Sequence, residues 1–343
     1  GVSNDYIVVT GLVNQSITQD TAITVERRIP GMDFIVENDN RLWGCSSKNH
    51  EIYACALGNP KNWYCYMGTS QDSYAATVGS DGPFTGAITY LGYVLFFKED
   101  LIHKVYGNAP SNFQIQNVRC RGVENGANKS LCIVNERLYY KSKDCVCAFE
   151  GSLPTGVSDD LGIENFVGGV AGTISNKYYI CMQDSEGQHN LYVYDSNKGL
   201  WHKEDSINVK YFAKFENNLI FIPADNTMYC VNYDEKNERH DQEQPFEWFV
   251  ETGVIAGETM DNKYISKVQI RASVDKDSKV SMYIEYDDNG RWEKKFELKP
   301  TINKSFTVPI IPRRCDHFKL KIKGVGDCKI FSIAKVTEMG SEL

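Results

Sequence analysis

The sequence predicts an all-β protein, a five- or six-bladed β-propeller followed by a small antiparallel β-sandwich. Five times a polar turn residue runs straight into a short aromatic and aliphatic stretch: Asn40-Arg41-Leu42-Trp43, Gly92-Tyr93-Val94-Leu95-Phe96-Phe97, Asn135-Glu136-Arg137-Leu138-Tyr139-Tyr140, Asn176-Lys177-Tyr178-Tyr179-Ile180 and Asn217-Asn218-Leu219-Ile220-Phe221-Ile222. Successive anchors are 52, 43, 41 and 41 residues apart, the period of four-stranded blades at ~40–50 residues each. The aromatic share of 12%, with twenty Tyr and sixteen Phe, suits side chains packed between stacked sheets. After Trp248 this rhythm gives way to segments of strict alternation.

Turn formers delimit the strands: Gly58-Asn59-Pro60, Gly79-Ser80-Asp81-Gly82-Pro83, Asn108-Ala109-Pro110-Ser111-Asn112, Asp184-Ser185-Glu186-Gly187 and Asp195-Ser196-Asn197-Lys198-Gly199. The blades are expected from Asp33 to Tyr66, Tyr74 to Gln116, Ser130 to Leu153, Val167 to Trp201 and Val209 to Trp248. In each, the aromatic run leads through a polar turn to a second strand, as in Glu51-Ile52-Tyr53-Ala54-Cys55 and Leu191-Tyr192-Val193-Tyr194. Trp63, Phe113 and Trp201 each follow a turn late in their blade and are expected to plug against neighbouring blades. A sixth blade would need strands from Thr10 to Arg28, since an unclosed ring leaves raw sheet edges.

Six alternating segments occupy the remainder: Ile265–Ala272, Val280–Tyr286, Lys294–Leu298, Phe306–Val308, His317–Ile322 and Lys329–Ile333. One face of each is apolar and the other charged, as in a two-layer sandwich. The division expected is a propeller over 1–250 and a sandwich over 251–343, with Asp287-Asp288-Asn289-Gly290 as the clearest hairpin turn.

Composition narrows function. The chain has 343 residues, 42% of them hydrophobic, with Asp and Glu exceeding Lys and Arg by 45 to 37. A net charge of −8 disfavours a nucleic-acid grip over the whole surface. No apolar stretch approaches the ~20 residues of a membrane span. The N-terminus, Gly1-Val2-Ser3-Asn4-Asp5, lacks both an initiator Met and a basic-apolar targeting pattern, and is read as a start inside a longer protein or after a fusion junction. The eleven cysteines fall mostly in strand-like runs and are expected to be reduced and buried.

Candidate chemistry is sparse. A glycoside hydrolase on this fold needs two or three carboxylates converging at the axis. Asp33, Glu37, Asp81, Asp159, Asp160 and Asp225 all neighbour turns, where Asp bonds its own backbone, and no subset recurs at one blade position. Tyr286-Asp287-Asp288-Asn289-Gly290-Arg291-Trp292 is faintly similar to a sialidase Asp-box, but Trp292 comes one residue early. Cys145 and Cys147 share a strand face, and Cys45, Cys55 and Cys65 recur at ten-residue intervals, without a zinc signature. Gly168-Gly169-Val170-Ala171-Gly172 has no following helix to bind phosphate. No catalytic, cofactor or metal residue is therefore assigned, and no cofactor is expected. Arg313, Arg314, Asp316 and His317, behind Pro309 and Pro312, are assigned as a possible interface, because arginine forks suit carboxylates across subunits.

Pro30-Gly31-Met32-Asp33-Phe34, Ala56-Leu57-Gly58-Asn59-Pro60 through Trp63, Val78-Gly79-Ser80-Asp81-Gly82-Pro83-Phe84-Thr85-Gly86, Pro312-Arg313-Arg314-Cys315-Asp316-His317 and Glu338-Met339-Gly340-Ser341 follow one another in an order that resembles structural proteins of Firmicutes phages and prophages. More broadly the chain is similar to the propeller tail-hub, or nozzle, proteins of short-tailed phages, with Asn59 where Asp is commoner and without their long insertions. The resemblance implies a non-enzymatic virion part, a tail hub or head-tail completion component. It would assemble as a ring with copies of itself and with portal, tail or head-completion proteins, passing DNA through the channel. It would reside in the virion, and in the bacterial cytoplasm during assembly. The competing expectation is a carbohydrate-binding or glycoside-hydrolase-like propeller with an accessory sandwich.

Overall fold

The computed structural model describes residues 29–162, 165–231, 246–256, 263–311 and 313–339. The chain divides into two units, Gly1–Asp234 and Glu235–Leu343. The expected sixth-blade strands from Thr10 to Arg28 lie outside the described residues.

The first unit is a β-propeller. Blade 1 holds β1 (Phe34–Asn38), β2 (Arg41–Ser46), β3 (Glu51–Ala54) and β4 (Tyr74–Thr77); blade 2 holds β5 (Gly86–Tyr90), β6 (Tyr93–Lys98), β7 (Leu101–Tyr106) and β8 (Gln114–Arg119). Blade 3 holds β9 (Cys132–Val134), β10 (Arg137–Lys141), β11 (Val146–Phe149) and β12 (Thr155–Gly156). Blade 4 holds β13 (Val167–Ile174), β14 (Lys177–Gln183), β15 (His189–Asp195) and β16 (Leu200–Asp205), and blade 5 has β17 (Val209–Phe215), β18 (Asn218–Pro223) and β19 (Tyr229–Cys230). First strands adjoin one another, β1 beside β5 and β13 beside both β9 and β17.

All five aromatic anchors are second strands, and their period of two explains the stacking. Along β6, Val94 and Phe96 pack with Trp43, Cys45 and Ile52 of blade 1, while Leu95 and Phe97 pack with Leu138, Tyr140 and Phe149 of blade 3. Along β14, Tyr178, Ile180 and Met182 meet Tyr139 and Val146 of blade 3, and Tyr179 and Cys181 meet Val209 and Leu219 of blade 5. Each side chain sealed in this way stabilises by about 1.5–3 kcal/mol. Both faces of a central blade are buried, so its second strand is apolar at consecutive positions.

The first turns are tight and left-handed. Asp39 and Asn40 have φ of +50° and +57°, and Asn135 and Glu136 have +48° and +65°, as the right-handed strand twist demands of two-residue loops.

Two expected boundaries are corrected. Tyr74 does not open blade 2: β4 pairs with β3, Tyr74 opposite Ala54, because the long segment 55–73 folds as an excursion before the sheet resumes. Nor does Trp248 end blade 5. It lies on β20 (Glu247–Glu251), opposite Gly324 in the second unit. Of the expected plugs, Phe113 stacks on Trp43 and Tyr74 at 4.9 and 5.2 Å and the Trp201 indole donates to the Val157 carbonyl at 2.5 Å. Trp63 instead packs on Tyr53 and Cys55 of its own blade.

The second unit is a sandwich. It comprises β20, β21 (Lys263–Val274), β22 (Lys279–Tyr286), β23 (Glu293–Leu298), β24 (Thr301–Val308), β25 (Arg314–Cys315), β26 (Phe318–Val325) and β27 (Cys328–Met339). One sheet runs β20-β26-β22-β23, while β21 pairs with β24 and β25 on one side and β27 on the other. Between them lies a core that includes Ile265, Val268, Ile270, Met282, Ile284, Phe318, Leu320 and Ile322.

Candidate functional site

The residues assigned from sequence as an interface come together at one corner of the sandwich. Strand β25 places Arg314 opposite Tyr264 and buries Cys315, so the residues on either side meet the β22–β23 hairpin turn. Asp287 accepts from the Asp316 and His317 backbone N–H groups at 2.8 and 3.3 Å. His317 Nδ1 lies 3.0 Å from Asp316 Oδ2. His317 Nε2 is 3.2 Å from Asp288 Oδ2, an ion-pair contact lacking hydrogen-bond geometry. Asp316 first, and then Asp288, raise the His317 pKa. Arg313 pairs with Glu293 at 3.0 Å over the Tyr286 ring. The corner is thus an internally paired set of charges in which Asp287 and Asp288, at φ of +53° and +47°, form the turn that the Asp-box likeness fell upon.

The carboxylates weighed for catalysis are dispersed. Asp33 accepts from the Ser47 N–H at 2.6 Å and Glu37 from the Asn40 N–H at 3.2 Å. Asp225 accepts from Thr227 N–H and O–H, and Asp159 and Asp160 lie in a short 3-10 turn. Asp33 and Glu37 stand at opposite ends of β1. Glu37 and Asp225 serve their own turns, whereas Asp33 ties down the β2–β3 turn through Ser47, whose Oγ accepts from the Phe84 N–H of the loop that carries Asp81 at 2.9 Å. Among the described residues there is no group of three or more His, Cys, Asp or Glu able to hold a metal ion.

One constellation escaped sequence reading. Ser80, His103 and Asn117 stand in the order of a hydrolase triad, with Ser80 Oγ 2.9 Å from His103 Nε2 and His103 Nδ1 2.5 Å from Asn117 Oδ1. The amide oxygen can only accept, so Nδ1 carries the proton and Nε2 accepts from the serine. His103 is wholly buried, and burial lowers its pKa to about 4, which leaves a weak base with no room for substrate. Lys98, equally buried, donates to the Ser80 and Asp81 carbonyls at 2.7 and 3.1 Å. The network fastens the loop entering blade 2. No local pattern announces it, since its members are 18 to 37 residues apart along the chain from Ser80 to Lys98 and Asn117.

The surface feature of the propeller is where its apolar side chains are exposed. Segment 55–73 is rigidly built: Arg41, 3% exposed, donates to the carbonyls of Cys55, Ser70 and Asp72 at 2.5–2.7 Å, and Asp72 accepts from Gly68, Thr69 N–H and Thr69 O–H. It nevertheless exposes Leu57, Tyr64, Tyr66 and Met67. At the same end, on or next to the turns joining first to second and third to fourth strands, Leu91, Leu153, Leu200 and Phe215 are exposed as well. Large apolar residues exposed at the opposite end, among the described residues, are Ile29, Val167, Met228 and Tyr229. Leu91 is 59% exposed at φ +50°, a left-handed conformation costing a leucine about 1 kcal/mol. It reaches across the blade seam, so that a Cβ on Gly151 would touch it at 3.8 Å.

No family model matches the chain. No curated protein sequence matches it either. Among solved structures it is similar to BamB from Moraxella catarrhalis, with 9% identity and a TM-score of 0.34 over 60% of this chain and 70% of that one. It is also similar to an exo-β-1,3-galactanase from Phanerochaete chrysosporium in complex with galactose, with 8% identity and a TM-score of 0.33 over 85% and 94%. A GH43 glycoside hydrolase engineered for endo-xylanase and exo-arabinofuranosidase activity shows 9% identity and a TM-score of 0.27 over 89% and 97%. At these values none of them assigns an activity to this chain.

Proposed function

We propose that this protein is a non-enzymatic virion structural component, a tail hub or head-tail completion part, that works by docking other proteins onto one end of its propeller. The observation that carries the reading is the set of exposed apolar side chains at that end, with Leu57, Tyr64, Tyr66 and Met67 together on a segment braced by Arg41 and Asp72. Exposed apolar surface at a well-ordered site marks an interaction surface more often than a solvated one, and Tyr and Met are favoured in interface cores. A leucine kept exposed in a strained turn is a local cost that folding does not require. The resemblance of the ordered phrases to phage structural proteins points to the class of partner: portal, tail or head-completion proteins, and copies of this chain in a ring.

A second reading has its own observation. Tyr64 and Tyr66 stand exposed on a braced loop, the kind of flat aromatic platform on which a sugar ring stacks. The glycoside hydrolases among the structural neighbours favour this carbohydrate-active reading over the virion one, though at identities of 8–9%.

Immunogold labelling of particles from a host carrying this chain, with the Leu91→Asn, Met67→Ser double variant beside the native protein, tests the first reading. Label on native particles and its loss with a folded variant is the expected result. Particles that form normally without the chain, together with saccharide binding or release in a glycan panel, would replace it with the second.

A further inference from the structure

Two of the eleven free thiols stand apart. Cys145 lies in the bend between β10 and β11, and Cys147 within β11. Residues two apart on an extended chain share a face, and their sulfurs are 3.6 Å apart. Cys147 is fully buried between blades 2 and 3. Cys145 is partly exposed and lines a cleft with Asp144, Ser158 and Asp159. A Cβ built on Gly156 would lie 3.3 Å from the Cys145 sulfur and 3.9 Å from Arg121 Nη1, so thiol and guanidinium converge on space that only glycine leaves open.

The hydrogen bond from the Cys147 thiol is the largest influence on Cys145 and holds its pKa below the ordinary thiol value, with Arg121 assisting and burial opposing. The same bond, with burial, pushes Cys147 up. Burial alone raises Cys120 to about 11 and Cys132 to about 12. Cys145 is therefore thiolate-like and reachable, with a proton-bearing thiol beside it, the arrangement that peroxide-reactive cysteines share.

We propose that Cys145 and Cys147 are an oxidisable dithiol, a reversible modification site at which a hydroperoxide oxidises Cys145 and Cys147 resolves it as an intrachain disulfide. The Cys145 sulfur pair attacks one peroxide oxygen, the O–O bond breaks, and hydroxide leaves with sulfenic acid on sulfur. The Cys147 sulfur then displaces that oxygen, which departs as water with the Cys147 proton. Two thiol sulfurs lose two electrons and one peroxide gains them. The sulfurs must close from 3.6 Å to ~2.05 Å. Cys145 lies just outside the ladder, whose last pair is Lys141 and Val146, in a bend closed by the Ser142 N–H donating to the Cys145 carbonyl at 2.8 Å, so the movement must come from side-chain rotation and a local shift of residues 142–145.

The test is peptide mass mapping of the reduced full-length chain in chelator, after hydrogen peroxide and without reductant. The 145–147 disulfide is expected as the first product, and iodoacetamide is expected to alkylate Cys145 roughly tenfold faster than Cys120. Cys147→Ser, or Cys147→Ala if the serine variant misfolds, should accumulate a dimedone adduct on Cys145. First oxidation at another cysteine, or equal alkylation rates at Cys145 and Cys120, would overturn the proposal, and both are read on the native sequence.

Discussion

His103 is carried into an apolar seam on two hydrogen bonds, and the arrangement has a signed consequence. Its folded pKa of about 4 lies below the ordinary value of 6.5 because burial penalises the charged ring. The unfolded chain therefore binds a proton that the native chain refuses between those values. The associated stability is present above about pH 6.5 and lost as pH falls towards 4, by about 3 kcal/mol at most. Urea midpoints of native protein and His103→Gln, measured from pH 7.5 to 4, should converge as pH falls. Parallel curves would mean that His103 is protonated in place. Nothing in Leu101-Ile102-His103-Lys104 announces this role. A histidine in an alternating strand shows its face, but its partners Ser80 and Asn117 come from a loop and a neighbouring strand that only the register brings beside it.

At the scale of elements, two blades use the same device. Lys98 closes β6 and Lys141 closes β10, each 1% exposed. Lys98 grips loop carbonyls before blade 2, and Lys141 pairs at 2.9 Å with Glu124 before blade 3. Breaking such a pair from one side leaves a desolvated charge, so Lys141→Met should cost about 3 kcal/mol in urea unfolding, and Glu124→Gln in the same background should recover part of it. The loop ahead of blade 3 is held as closely by backbone. Gly122 donates to Glu99 O at 2.9 Å, and a Cβ there would stand 1.8 Å from the Lys98 carbonyl. Gly122→Ala should cost about 3 kcal/mol or more, since backbone cannot yield as a side chain does; a loss below 1 kcal/mol would show that the loop can move away. The second strands were legible because burial on both faces writes a continuous aromatic run. The outer strand β4 was not, because segment 55–73 separates it from its partner, and its short Tyr74-Ala75-Ala76-Thr77 run carries little apolar signal.

At the scale of the molecule, the sequence rhythm separated repeating blades from an alternating sandwich, and five of the six expected sandwich segments begin within β21 to β27 as drawn, the sixth, from His317, starting one residue before β26. The missing piece was β20. Glu247-Trp248-Phe249-Val250-Glu251 is aromatic and follows blade 5, so it reads as propeller until the register places Trp248 opposite Gly324. There the indole lies over the glycine, 2.6 Å from where a Cβ would be, and donates to the Gly326 carbonyl at 2.7 Å. The second unit then has a complete core of its own, with Ile265, Val268, Ile270, Met282, Ile284, Phe318 and Ile322 at 0–2% exposure. A core closed by its own two sheets should fold without the propeller. A fragment beginning at Glu235 is expected to unfold cooperatively at a urea midpoint matching one transition of the full chain. A fragment beginning at Gly253, which lacks β20, is expected to be less stable, because β26 loses its outer partner and Gly324 its aromatic cover. If the two fragments unfold alike, β20 and the cover that Trp248 gives Gly324 contribute nothing measurable to the stability of the sandwich.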